Sequence, residues 1–168
     1  ANPGTSEMHF VAALGALLFI SRPDIGLGQG DAATGPVMDI APIEADIEAA
    51  LPLIWGRPVV SVFIGGGTPS LMSAAGVERL LSDVRARLPL DVDCEITLEA
   101  NPGTFEAERF AAYRSAGVNR LSIGVQSFDQ SKLKALGRIH DHAQAEAAAE
   151  LVRRVFDNFN LDLMYGLP

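Results

Sequence analysis

From Ile43 to the end of the chain, short β-branched and aromatic runs alternate with stretches whose apolar residues recur at helical spacing. No other property narrows the choice of fold so far. Ile43, Ile47, Ala50, Leu51 and Ile54 share one helical face, and "VVSVFIG" at 59–65 has the length and composition of a strand. Val77, Leu80, Leu81, Val84 and Leu88 predict a helix over 74–88, closed by Pro89. "CEITLEA" at 94–100, "NRLSIGV" at 119–125 and "FNLDLMYG" at 159–166 predict three more strands. A helix over 104–117 takes Thr104 as its N-cap, Glu106 and Glu108 at its positive end and Gly117 at its C′ position. "DQSKLKALG" predicts a short helix, and 141–156 a longer one with Asp141 and Gln144 at capping-box spacing. Such alternation makes a parallel sheet joined by right-handed helical crossovers. It fits part of a barrel or half of an open sheet equally well.

Residues 1–42 read differently. Residues 21–42 are rich in Gly, Pro, Asp and Ala and have loop or linker composition. The one long apolar run, "MHFVAALGALLFI" at 8–20, is shorter than the about 20 apolar residues of a membrane-spanning helix. Its flank holds Glu7 and His9 and no Lys or Arg, unlike an export signal, so it reads as a buried strand or helix.

A formal net charge of -8 argues against sequence-independent binding to nucleic acid or to an anionic membrane, both of which need surplus Lys and Arg. The single cysteine, Cys94, rules out an internal disulfide and any all-cysteine metal site within the chain. It points to a reducing, cytoplasmic setting.

Parallel α/β sheets bind ligands beyond the carboxyl ends of their strands. The first predicted strand ends in Gly65, Gly66, Gly67 and Thr68, the second in Glu99 and Asn101, and the third in Gln126 and Ser127. The fourth carries Asp162 and Tyr165. A glycine-lined backbone edge, carboxylates, amides and hydroxyls suit a polar small molecule bearing hydroxyl and amino groups. A triphosphate would call for Lys or Arg, which the first three strand ends lack. The glycines are neither a P-loop nor a dinucleotide fingerprint, and a tight turn alone would also account for them. Glu99 could equally pair with a helix terminus, and Gln126 could be a turn residue. Asp162, flanked by Leu161 and Leu163, must be hydrogen-bonded or ligand-facing to avoid a large desolvation cost. His140 and His142 suit a solvated helix cap better than a metal site. Trp55 is expected to pack on the sheet.

"FIGGGTPSL", "EANPGT", "GVNRLSIGVQSFD", "LGRIH" and "NLDLMYGLP" occur in this order and at these spacings. The set resembles radical S-adenosylmethionine proteins of the group that holds oxygen-independent coproporphyrinogen III oxidase and the heme chaperone HemW, with "EANPGT" and "GVQSFD" closer to the chaperone branch. The resemblance runs from Ile43 to Pro168 and implies a partial (β/α) barrel with S-adenosylmethionine across its carboxyl-end face. It implies that Gly66, Gly67 and Thr68 line the methionine end of that cofactor, and that Glu99, Gln126, Arg138 and Asp162 contact it. Arg138 suits the methionine carboxylate or a paired acid.

The same resemblance calls for a CxxxCxxC loop ahead of Ile43, whose thiolates hold a [4Fe–4S] cluster. Residues 1–42 contain no cysteine. The chain is therefore expected to divide at 42/43 into an unassigned segment and a partial core of about four β/α units, and to be an incomplete or altered member without radical activity. An out-of-frame stretch upstream of Ile43 would account for the change in composition. Open alternatives are the oxidase activity itself, a noncatalytic half-barrel that binds S-adenosylmethionine or heme, and a nonfunctional fragment. Uncovered sheet edges would favour self-association.

Overall fold

The computed structural model describes residues 8–13, by their backbone, and 40–54, 56–66, 68–104 and 107–167. Its elements are β1 (Met8–Ala13), α1 (Ala41–Ile54), β2 (Val59–Gly65), α2 (Ala74–Arg87), β3 (Leu90–Ala100), α3 (Ala107–Ala116), β4 (Arg120–Gln126), α4 (Gln130–Ala135), α5 (His142–Val155) and β5 (Asn158–Leu163). Short 3-10 turns at Pro69–Leu71 and Pro102–Thr104 follow β2 and β3. The five strands form one sheet in the order β1-β2-β3-β4-β5, all parallel. Each crossover steps the chain one strand in the same direction. Right-handed crossovers that never reverse place the helices on one face, which is barrel winding and not the doubly wound alternative.

The sheet begins ahead of Ile43. β1 pairs with β2, in continuous register from His9 opposite Ser61 to Ala13 opposite Gly65, with a shift between Met8 and His9. Of the strand or helix expected within 8–20, a strand is present over 8–13; the rest of that run, and Trp55, lie outside the described residues.

The core lies between the sheet and its helices. Val62, Ile64, Ile96, Leu98, Leu121, Ile123 and Val125 alternate along β2, β3 and β4 and are all buried. Val77, Leu80, Leu81 and Val84 of α2, Phe110 and Tyr113 of α3, and Ala145 and Val152 of α5 form one cluster with them. A buried aliphatic side chain of this size contributes about 2 kcal/mol, so burial, and not helix propensity, holds these helices in place.

Local signals stop and start the helices as their residues dictate. Asp141 and Gln144 form a capping box on α5. Gly117 takes φ +110 after α3, and the Val118 amide reaches back to the Tyr113 carbonyl at 3.1 Å. Thr104 is not the cap of α3: it sits in the 3-10 turn, its Oγ1 donating to the Asn101 carbonyl at 2.8 Å, and α3 begins three residues later. Glu106 lies outside the described residues. β3 starts at Leu90, four residues before the predicted strand, and its leading half is exposed, with Val92 96% accessible. A side chain that packs on nothing leaves no apolar period to read.

β5 is the last strand. Leu163, Met164 and Tyr165 at its end are 58%, 46% and 97% exposed. Among the described residues no helix is long and apolar enough to cross a membrane.

Candidate functional site

The helix-free face of the sheet carries the polar half of each strand's alternation. Glu95, Thr97 and Glu99 of β3, Arg120, Ser122, Gly124 and Gln126 of β4, and Asn158, Asn160 and Asp162 of β5 occupy it. Toward the carboxyl ends it opens into a cleft of about 220 Å³, lined by Glu99, Asn101, Ser122, Gln126, Arg138 and Asp162, with Pro69, Ala100 and Gly124 completing the wall.

The glycines after β2 serve Glu99. The Gly66 amide donates to Glu99 Oε2 at 3.1 Å. A Cβ at Gly65 would lie 2.6 Å from Phe63 Cε1 and 3.0 Å from that same Oε2, so a side chain there would displace the carboxylate. Gly66 has φ +84, a conformation that costs glycine nothing. The β2 end is therefore bare because a carboxylate from the neighbouring strand lies over it. Glu99 pairs with this loop amide and with no helix terminus. Thr68 stands beside the cleft, its Oγ1 accepting from Asn101 Nδ2 at 3.4 Å. Gly67 lies outside the described residues.

The loop that carries Thr68 is fastened from behind. Ser70 is fully buried, with its Oγ 2.7 Å from Thr104 Oγ1. Its carbonyl accepts from Tyr113 Oη at 3.1 Å and from Arg109 Nη1 at 3.4 Å, and Tyr113 also donates to the Met72 carbonyl. A buried phenol between two carbonyls ties the β2 connection to α3, and the Ser70–Thr104 hydroxyl pair joins the β3 connection to it.

Asp162 is exposed, so the burial argument for it does not apply: β5 is the outermost strand of the described sheet, and Leu163 beside it faces solvent. Its hydrogen bonds are nevertheless built. Ser122 Oγ donates to Oδ2 at 2.8 Å, and Asn160 Nδ2 to Oδ1 at 2.6 Å. Asn160 Nδ2 also reaches Ser122 Oγ at 3.1 Å, and Arg120 Nη2 holds Asn160 Oδ1 at 2.6 Å. Arg120 Nη1 donates to Thr97 Oγ1 at 3.3 Å and lies 3.6 Å from Glu95 Oε1. Each carboxylate oxygen of Asp162 keeps one lone pair for a further donor, such as a sugar hydroxyl. Ser122, Asn160 and Arg120 escape a search confined to strand ends. Their signal is the period-2 polar register along the strands.

Gln126 ends β4 at φ +66, the one non-glycine residue with positive φ among those described. It does form a turn, and it also lines the cleft, its Nε2 lying 3.1 Å from where a Cβ on Gly124 would stand. Ser127 and Tyr165 do not join the site: Ser127 Oγ accepts from the Asp129 amide at 3.0 Å, and Tyr165 is 97% exposed. Arg138 is exposed and lines the cleft from the connection between α4 and α5.

His140 is no solvated cap. It is 4% exposed, with Nε2 3.1 Å from the Val125 carbonyl. His142 is the exposed one, 3.4 Å from Glu146. Among the described residues no three His, Cys, Asp or Glu side chains are placed to hold a metal ion.

The family model for the radical SAM superfamily matches residues 32–168. The chain belongs to the radical SAM superfamily. It is 57% identical over 124 residues to the heme chaperone HemW of Escherichia coli (strain K12), covering 73% of this chain and 33% of that protein. It is 50% identical over 127 residues to the HemW of Haemophilus influenzae, covering 75% of this chain and 33% of the relative. Among solved structures, the radical SAM enzyme coproporphyrinogen III oxidase (HemN) from Escherichia coli superposes with a TM-score of 0.67 at 35% identity. That superposition covers 75% of this chain and 29% of the oxidase. The chain spans about a third of the length of the curated relatives it matches.

The superfamily implies S-adenosylmethionine and, in its full-length members, a [4Fe–4S] cluster. The cleft chemistry fits the first: carboxylates for hydroxyl and ammonium groups, an amide for a base edge, a guanidinium for a carboxylate. The residues present do not fit the second. Cys94 is the single thiol, it is 6% exposed, and burial pushes its pKa up, away from the thiolate that iron needs.

Proposed function

We propose that these residues are the S-adenosylmethionine-binding part of a cytoplasmic protein of the heme chaperone HemW type, acting in heme or porphyrin metabolism. The observation that carries this reading is the convergence of Glu99, Gln126, Arg138 and Asp162, from three strand ends and a helix connection, on one polar cleft. The 57% identity to a heme chaperone, against 35% to the oxidase structure, favours the chaperone branch.

In this reading Asp162, already oriented by Ser122 and Asn160, accepts from the ribose hydroxyls. Glu99, one oxygen of which is committed to the Gly66 amide, turns its other oxygen to the ligand, and Arg138 pairs with the methionine carboxylate. Gln126 and Thr68 border the remaining wall. Bound S-adenosylmethionine supplies a sulfonium whose cleavage needs an electron. These residues bind and orient the cofactor, and with Cys94 as their single thiol they do not supply the thiolates of a cluster. Heme or a porphyrin is the second small molecule of the proposal.

Calorimetric titration of the chain with S-adenosylmethionine tests the reading. Binding is expected, and Asp162→Asn should weaken it about ten-fold, the worth of one charge-assisted hydrogen bond. Asp162 is exposed, so the melting temperature should hardly move. No binding by the parent chain, or equal binding by the variant, would overturn the proposal.

A further inference from the structure

We infer that His140 is a positioning residue for Gln126, acting through the backbone and not by touching a ligand. The backbone at Gln126 is unusual. Its φ of +66 is sterically costly for a residue with a side chain, and it persists only where surrounding bonds over-determine it. Three such bonds are present. The Ser127 amide donates to the Val125 carbonyl at 2.8 Å, closing a three-residue γ-turn with Gln126 at its centre. The Met164 amide donates to the Gln126 carbonyl at 2.8 Å and ties the turn to the end of β5. His140 Nε2 stands 3.1 Å from the same Val125 carbonyl. A carbonyl only accepts, so Nε2 carries the proton and the imidazole is the donor.

The imidazole is itself held. His140 is 4% exposed and its ring meets the end of β4, while a Cβ added at Gly103, in the Pro102–Thr104 turn, would stand 3.9 Å from its Cβ. The segment that carries it is fixed at both ends. Gly137, at φ +68, closes α4, and the Arg138 amide returns to the Leu133 carbonyl at 2.9 Å. Three residues on, Asp141 caps α5. His140 lies between these anchors, two residues after Arg138. One side chain therefore couples the Gln126 turn to the connection that presents Arg138, and sets the relative placement of two cleft-lining residues on different elements.

That the turn serves a ligand rests on the reading of the cleft given above; that His140 holds the turn does not. Amide hydrogen exchange of the whole chain, read by NMR, separates the two. His140→Leu keeps most of the buried volume and removes the donor. It should speed exchange at the Ser127 and Met164 amides about ten-fold, with Val62, Ile64 and Leu121 of the core sheet unchanged. His140→Gln, whose amide nitrogen can donate to the same carbonyl, should restore protection. In a Gln126→Gly background the turn has no positive-φ penalty, so His140→Leu should lose most of its effect. S-adenosylmethionine affinity should follow the exchange data, about ten-fold weaker in His140→Leu and recovered in His140→Gln.

Equal acceleration across the sheet, or no change at Ser127 and Met164, would overturn the positioning role. If His140→Leu does not fold, His140→Gln decides: protection like the parent's supports the role, and lost protection refutes it. If the parent binds no S-adenosylmethionine, the reading of the cleft fails, and the exchange arm still judges the turn.

Discussion

The two ends of the sheet are both polar, yet they are built to opposite ends. At the amino end Asn119 spends its whole side chain on the neighbouring strand: Oδ1 accepts from the Ile96 amide at 2.7 Å and Nδ2 donates to the Cys94 carbonyl at 2.9 Å. Arg120 is likewise satisfied by Glu95, Thr97 and Asn160. Both side chains spend their bonds on neighbouring strands of the sheet. At the carboxyl end Glu99 and Asp162 retain unused lone pairs, Arg138 faces the open cleft, and Gln126 sits at a positive φ. Polar groups that finish their bonds within the chain hold strands in register. Groups held in place with bonding capacity to spare are set out for something else.

Breaking the amino end should therefore cost fold stability. Asn119→Ala orphans the Ile96 amide beside a buried side chain and should destabilise by about 2 kcal/mol, lowering the melting temperature by roughly 4–8 °C in a thermal melt. An unchanged melt would mean that the two ends do not differ in the way described. Breaking the carboxyl end should cost binding instead, as in the ten-fold loss expected for Asp162→Asn. The smallest effect concerns neither end. Asp129 caps α4, and hydrogen bonds from the Ser131 hydroxyl and from the Lys132 and Ser131 amides hold its pKa below the ordinary carboxylate value. A depressed folded-state pKa contributes stability that is fully present above the unfolded value of about 4 and is lost as pH falls through the lower folded value. Asp129→Asn should therefore show a shallower loss of stability than the parent in melts between about pH 4 and pH 2. Parallel pH profiles would contradict the cap.

Much of this is legible in the sequence. The β/α alternation came from periodicity, because burial on one face forces it. Glu99, Gln126 and Asp162 came from the rule that ligands gather at strand ends. The winding was not legible, since barrel and open sheet share the same element order. The reason for Gly65 was not legible either: it lies in the distance to Glu99, a residue 34 positions away in the chain. Nor could Asp162 be known to sit on the outermost strand of the described sheet. The polar register at 120, 122, 158 and 160 was present in the sequence, but each of these residues alone looks like an ordinary exposed strand position. His140 shows the limit most plainly. A histidine before a helix reads as a solvated cap, and its burial depends on a carbonyl 15 residues away.

The central claim is that the carboxyl-end cleft, and not the equally polar amino end, is the ligand site. An amide-resolved NMR titration of the chain with S-adenosylmethionine tests it most directly. The account predicts saturable shifts at Gly66, Glu99, Asn101, Gln126, Arg138 and Asp162, with Cys94, Ile96, Asn119 and Arg120 unmoved. Shifts centred on the amino-end residues, or no shifts at saturating ligand, would contradict it.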